Sequence, residues 1–175
     1  KLSLSTPIIK DKLMLLAGGR IGFTDFLFPL LIPRLKNTKA NFTDSTVKLL
    51  YLLNERNQFT YTHFFSHDFY QLDLISSIEN IVSSSNQFDF GTSNHTLRWL
   101  HGFQNDTNLV GTFVQSNYLP QNLFPEVDSS NVIRFQSQIQ YTSAQFEFKD
   151  NRSESLNFYT GAQLNQYNIN PGSCL

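Results

Sequence analysis

The chain is poor in the residues that usually announce chemistry. It has one cysteine, one methionine and one tryptophan in 175 residues, and only 15% of its positions are charged, with a net charge of -1. One thiol, Cys174, makes no internal disulfide and rules out a four-cysteine zinc site or papain-type thiol catalysis. No stretch approaches the roughly 18 apolar residues of a membrane-spanning helix, so the chain as given reads as soluble. There is no P-loop, no GxSxG elbow and no HExxH pair. Gly18-Gly19-Arg20-Ile21-Gly22 lacks the spacing of a phosphate cradle and reads as a helix terminator. His63 and His67 are four apart without the glutamate of a metalloprotease, so no metal or cofactor is expected. Paired carboxylates such as Asp89 and Glu126 cannot be brought together by spacing. No enzyme is expected.

What is present is a wealth of uncharged polar residues and aromatics. Ser, Thr, Asn and Gln number 18, 13, 17 and 12, beside 17 Phe and 7 Tyr. That apolar content excludes simple disorder, and the length suits a single domain over 1–175. The four N-x-S/T sequons begin at Asn41, Asn94, Asn105 and Asn151, but a chain this rich in Asn, Ser and Thr carries about three by chance, so they say nothing of secretion. Scarce Lys and Glu among abundant amides point to an extracytoplasmic setting: periplasmic, cell-surface or secreted. The chain opens on Lys1, which suggests a trimmed or mature product whose signal or anchor lies outside it. Basic residues concentrate early: eight of the 13 Lys and Arg lie in the first fifty positions, consistent with a segment near an anionic membrane surface.

The periodicities divide the chain into a basic helical lead, 1–45, and a sheet-rich core, 46–175. Asp11–Ala17 reads as a short helix, and Thr24 caps a second through Lys36, shortened by Pro29 and Pro33. Lys36–Ser45 reads as a loop. Val47–Asn54 and Phe59–Phe65 flank a polar turn as an antiparallel hairpin. Asp68–Ser84 carries apolar residues three and four apart, the mark of an amphipathic helix, and Thr96–Phe103 suggests one more helical turn. Asn108–Gln115 is strand-like, with a loop marked by Pro120 and Pro125. Val132–Tyr141 alternates cleanly, the pattern resumes at Ala144, Phe146 and Phe148, and after a turn at Lys149–Ser153 it returns over Leu156–Leu164, the pattern of an antiparallel sheet with one wet face.

The expected fold class is therefore α+β: a helical N-terminal lead, then a five-stranded antiparallel sheet with helices inserted after strand 2. By element count that order resembles PAS-like sensor domains. A small antiparallel β-barrel capped by helices is the alternative. The resemblance implies a non-enzymatic, extracytoplasmic binding module, a ligand- or partner-sensing domain of a membrane-anchored receptor in signalling. The rival is a secreted or surface-assembly structural subunit that binds other copies by strand pairing. The expected partner is a small-molecule ligand or a protein, with homo-oligomers admitted. Nucleic acid is not expected, because the sheet-bearing part carries net negative charge. The ligand-binding candidates are Arg98, as a fork for a carboxylate, Trp99 and Phe103, as flat walls, and then Tyr61, His63 and Tyr118. The plainer account has Trp99 and Phe103 in a core and Arg98 at the surface.

Overall fold

In a computed structural model, which describes residues 1–24, 30–32, 38–73, 85–104, 106–125, 132–151 and 157–174, the chain is a run of eight strands. These are β1 (Leu2–Ile9), β2 (Leu13–Phe23), β3 (Lys39–Asn54), β4 (Asn57–Asp73), β5 (Ser85–Gly102), β6 (Thr107–Pro125), β7 (Val132–Asp150) and β8 (Phe158–Cys174). They pair antiparallel in chain order, β1 to β8, in one sheet. β1 and β8 each have a neighbour on one side only.

The helical lead and the inserted helices are thus corrected: among the described residues helix appears only at Leu30 and Leu31, in the connection between β2 and β3, and every element of the sheet is a strand. Residues 1–45 are not a separate lead but β1, β2 and the start of β3, in the same sheet as the rest. The Asp11–Ala17 segment begins in a hairpin turn, where Asp11 takes a left-handed φ of 59°, and runs on into β2. A short Asp side chain tolerates that region better than most. Leu13–Ala17 looked helical because β2 is apolar on both faces, which erases the alternation that separates strand from helix. Of the second helix, 25–29 and 33–37 lie outside the described residues. Of Asp68–Ser84, residues 68–73 belong to β4, and 74–84 lie outside the described residues. Thr96–Gly102 is β5, the 36–45 loop gives way to β3 from Lys39, and Pro120 and Pro125 lie within β6. Pro120 has no N–H for a ladder bond, and the β6–β7 register lacks partners at Leu119 and Pro120. The PAS-like order and the helix-capped barrel both fall with the helices, while the hairpin at 55–58 and the final alternating strands stand.

The strands are long, 16 to 19 residues from β3 to β8. Their connections differ between the two ends. At one, the turn end, the chain reverses over 10–12, 55–56, 103–106 and 151–157; at the other, the loop end, over 24–38, 74–84 and 126–131. Nothing among the described residues is packed across either face. Among the described residues no hydrophobic side chain is buried, and the four buried residues are Thr38, Ser66, Thr107 and Ser143. The accessible surface is 12441 Å², against about 8800 Å² for a compact monomer of this mass. This is a single layer.

Candidate functional surface

Register turns the alternation into two distinct faces. Residues paired across strands share a face, and successive residues along a strand take opposite ones. Following the pairs from β2 to β8, one row reads Leu15, Leu49, Tyr61, Leu97, Phe113, Ala144, Leu164. The row on that face nearer the turn end reads Leu13, Tyr51, Phe59, Trp99, Gly111, Phe146, Ala162. Neither holds a charge or an amide. Between them, on the opposite face, the row reads Met14, Leu50, Thr60, Arg98, Thr112, Gln145, Gln163, apolar on β2 and β3 and polar from β4 to β8. We call these the Tyr61 face and the Thr60 face.

On the Tyr61 face the apolar rows form a band that is open to solvent: Leu4, Leu97, Phe113, Phe146 and Leu164 are all classed exposed. Gly111 sits between Trp99 and Phe146, whose rings lie 3.6 and 3.3 Å from where a Cβ would stand, so both rings cover its bare backbone. Trp99 stacks on Phe59 with centroids 6.5 Å apart, and its Nε1–H donates to Asn57 Oδ1 at 3.1 Å, beside the turn. A hollow of about 660 Å³ lies over Ala17, Gly19, Ile21 and Val47, bordered by Leu2 and Leu4.

The band is widest on β2, where it reaches Phe23, level with Asn41 and Phe69. On β3 it stops at Val47, level with His63, and from β4 to β8 its upper border keeps to the row of Tyr61, Leu97, Phe113, Ala144 and Leu164. The lower border falls from Leu13, level with Phe59, to Phe158, four residues further down.

Towards the loop end the faces exchange character. The Tyr61 face becomes amide- and hydroxyl-rich, with Gln138 Nε2 donating to Asn117 Oδ1 at 2.9 Å and Asn168 Nδ2 to Gln140 Oε1 at 3.2 Å. The Thr60 face becomes aromatic, where Tyr70, Phe88, Phe90, Tyr118 and Phe124 form a chain of rings 6.2 to 6.5 Å apart. Beside them Arg20 donates to the Asp44 carboxylate and lies 5.2 Å over the Phe42 ring, and Ser66 Oγ donates to Asp44 Oδ1 at 2.8 Å. Arg20 first, and Ser66 second, hold the Asp44 carboxyl below its ordinary pKa. Elsewhere Glu147 accepts from Tyr159 and raises that phenol.

The candidate residues named from sequence divide across the sheet. Arg98 and Trp99 are consecutive on β5 and so point to opposite faces, which does not build a pocket with a guanidinium over a flat wall. Trp99, Tyr61 and His63 share a face. Phe103 lies just past β5, with its ring 4.5 Å from His101, and Tyr118 belongs to the loop-end aromatic patch on the other face. The sequence reading missed His95, which stands opposite His63, and the apolar residues Leu97, Phe113 and Phe146. Only the register unites them, and β4 joins β5 through the long 74–84 connection, so no tight turn fixes that register in advance. Among the described residues no helix is long and apolar enough to cross a membrane, which leaves strands untested. No family model, curated protein or solved structure matches the chain.

Proposed function

We propose that this sheet is part of the wall of a transmembrane β-barrel, with the Tyr61 face against lipid and the Thr60 face lining a water-filled lumen. The observation that carries the reading is the pair of uninterrupted apolar rows on one face, set against a row on the other that is polar from β4 to β8, with no layer among the described residues covering either. A bare apolar sheet face of this extent is untenable in water and ordinary in hydrocarbon. The other features agree. Membrane barrels are antiparallel with neighbouring strands in chain order and have shorter connections at one end than at the other, and here the connections of one end are the shorter on average, although 151–157 exceeds 126–131. On β2 the band spans ten residue steps, which at the 35–45° tilt of barrel strands is about 24–28 Å, close to the roughly 25 Å apolar belt of such barrels. It is narrower on β6, where it closes at Phe113. Among the described residues β1 and β8 are the edge strands of the sheet, and lipid does not tolerate unpaired strand edges, so in the membrane each takes a further strand partner. The run-length test that made the chain read as soluble senses helices only.

A second reading, ligand capture at the loop-end mouth, is favoured by the aromatic patch on the inner face. It keeps the receptor role expected from composition and moves it into the barrel. The first reading is tested by the single tryptophan, Trp99, which lies in the band. In vesicles of phosphatidylcholine brominated on the acyl chains, its emission is expected to be blue-shifted and strongly quenched relative to unbrominated lipid. Emission that ignores the bromines rejects the membrane assignment.

A further inference from the structure

We propose that His63 and His95 form a two-point chelate for a divalent transition-metal ion of the kind imidazole prefers, such as copper(II) or zinc. The two residues are direct partners on β4 and β5. The Gly102 N–H bonds the Arg56 carbonyl, which makes that opposed pair hydrogen-bonded. Alternation along the ladder then makes His63 and His95 a non-hydrogen-bonded pair, the kind whose side chains stand closest. Their ring centroids are 4.5 Å apart with planes 21° apart. Stacked rings aim their nitrogen lone pairs along their own planes, so both rings must turn about their χ angles before one nitrogen of each reaches ~2.1 Å from a shared ion.

The surroundings prepare His95 for this role. Tyr61 Oη lies 2.8 Å from His95 Nδ1. When Nδ1 carries the proton and donates to that phenol, the lone pair is fixed on Nε2, as in metal sites where an outer partner sets the tautomer. Nε2 is 3.4 Å from Ser93 Oγ and adjoins a hollow of about 300 Å³ lined by Ser93, Gln115, Asn117, Gln140 and Thr142. Those neutral groups hydrogen-bond metal-bound water without adding charge. Among the described residues no group of three or more His, Cys, Asp or Glu converges, so the protein supplies two ligands and the remaining positions are open and exchangeable. Copper(II) binds tightest in such a site by the general order of divalent affinities. His67 shares the face but is bonded to Asp89 at 2.8 Å, and serves as the internal control. The site rests on strand register and holds whether or not lipid covers the band.

The test is calorimetric titration of the protein in detergent with copper(II) and with zinc, beside electron paramagnetic resonance of the copper form. One equivalent is expected to bind with a two-nitrogen signature. His63→Ala and His95→Ala should each weaken binding at least tenfold, His67→Ala should leave it unchanged, and Tyr61→Phe should weaken it a few-fold while keeping both nitrogens. Circular dichroism checks that each variant keeps its strands. If the histidine variants misfold, the spectrum of the unmodified protein decides: copper bound through fewer than two imidazole nitrogens, or no stoichiometric uptake, overturns the site.

Discussion

At the scale of single residues, Arg20 shows how a lone cation is held on an uncovered sheet. Its guanidinium lies over Phe42 and pairs with Asp44, while Gly22, opposite Phe42, leaves room for that ring; a Cβ there would stand 2.1 Å from it. The paired carboxylate has a pH signature. Because Arg20 and Ser66 lower the folded pKa of Asp44 below its unfolded value of about 3.8, the stabilisation is complete above that value. It is lost as pH falls through the lowered folded value. Asp44→Asn should therefore unfold at a lower temperature than the parent protein at pH 7, with the gap narrowing as the pH falls below about 3.8 and through the lowered folded value. A gap that is constant across that range would mean that packing at position 44, not charge, matters. The same scale explains why Arg98 and Trp99 misled. Adjacent letters suggest a shared pocket, but on a strand adjacency guarantees opposite faces.

At the scale of elements, the strands that could be read from sequence are those with clean two-residue alternation next to a short turn. Phe59–Phe65 alternates beside the turn at 55–56, and β7 and β8 alternate in the stretches that flank 151–157. The elements mistaken for helices share one property: apolar residues on both faces within a few positions. Leu13 to Leu16 does this in β2, and Leu97, Trp99 and Leu100 do it in β5. The exchange of face along each strand produces that mixture. In β7 the apolar set moves from Ile139 and Tyr141 on one face to Ala144 and Phe146 on the other. A sequence read with a single inside and outside takes this as irregularity. It is instead a strand passing from one surrounding into another. The consequence is testable on two neighbours in β5. Leu97→Arg on the band should destabilise the protein in lipid by about 2–4 kcal/mol, whereas Thr96→Arg on the polar face should change it by less than about 1 kcal/mol. Denaturant unfolding in vesicles separates them, and equal effects would contradict the assignment of faces.

At the scale of the whole molecule, alternation cannot say what covers the apolar face. The pattern is the same whether a second protein layer or hydrocarbon lies against it. What favours hydrocarbon is long-range: eight strands in one layer among the described residues and an accessible surface well above that of a globule. Neither has a local trace in the letters. The unequal connections also give the proposed barrel a direction. The band hugs the turn end, and the strands overshoot it towards the loop end, so the two ends should meet different aqueous compartments, with the projecting half and its longer loops outside. Lys12 marks the turn end, and Leu31, 74% exposed, the loop end. In cells, with Cys174 replaced by serine, a membrane-impermeant maleimide added outside should label Leu31→Cys and not Lys12→Cys until the membrane is opened. Labelling of both from one side would mean that the sheet does not cross, whatever its apolar rows rest on. Labelling of Lys12→Cys alone would keep the crossing and reverse its direction.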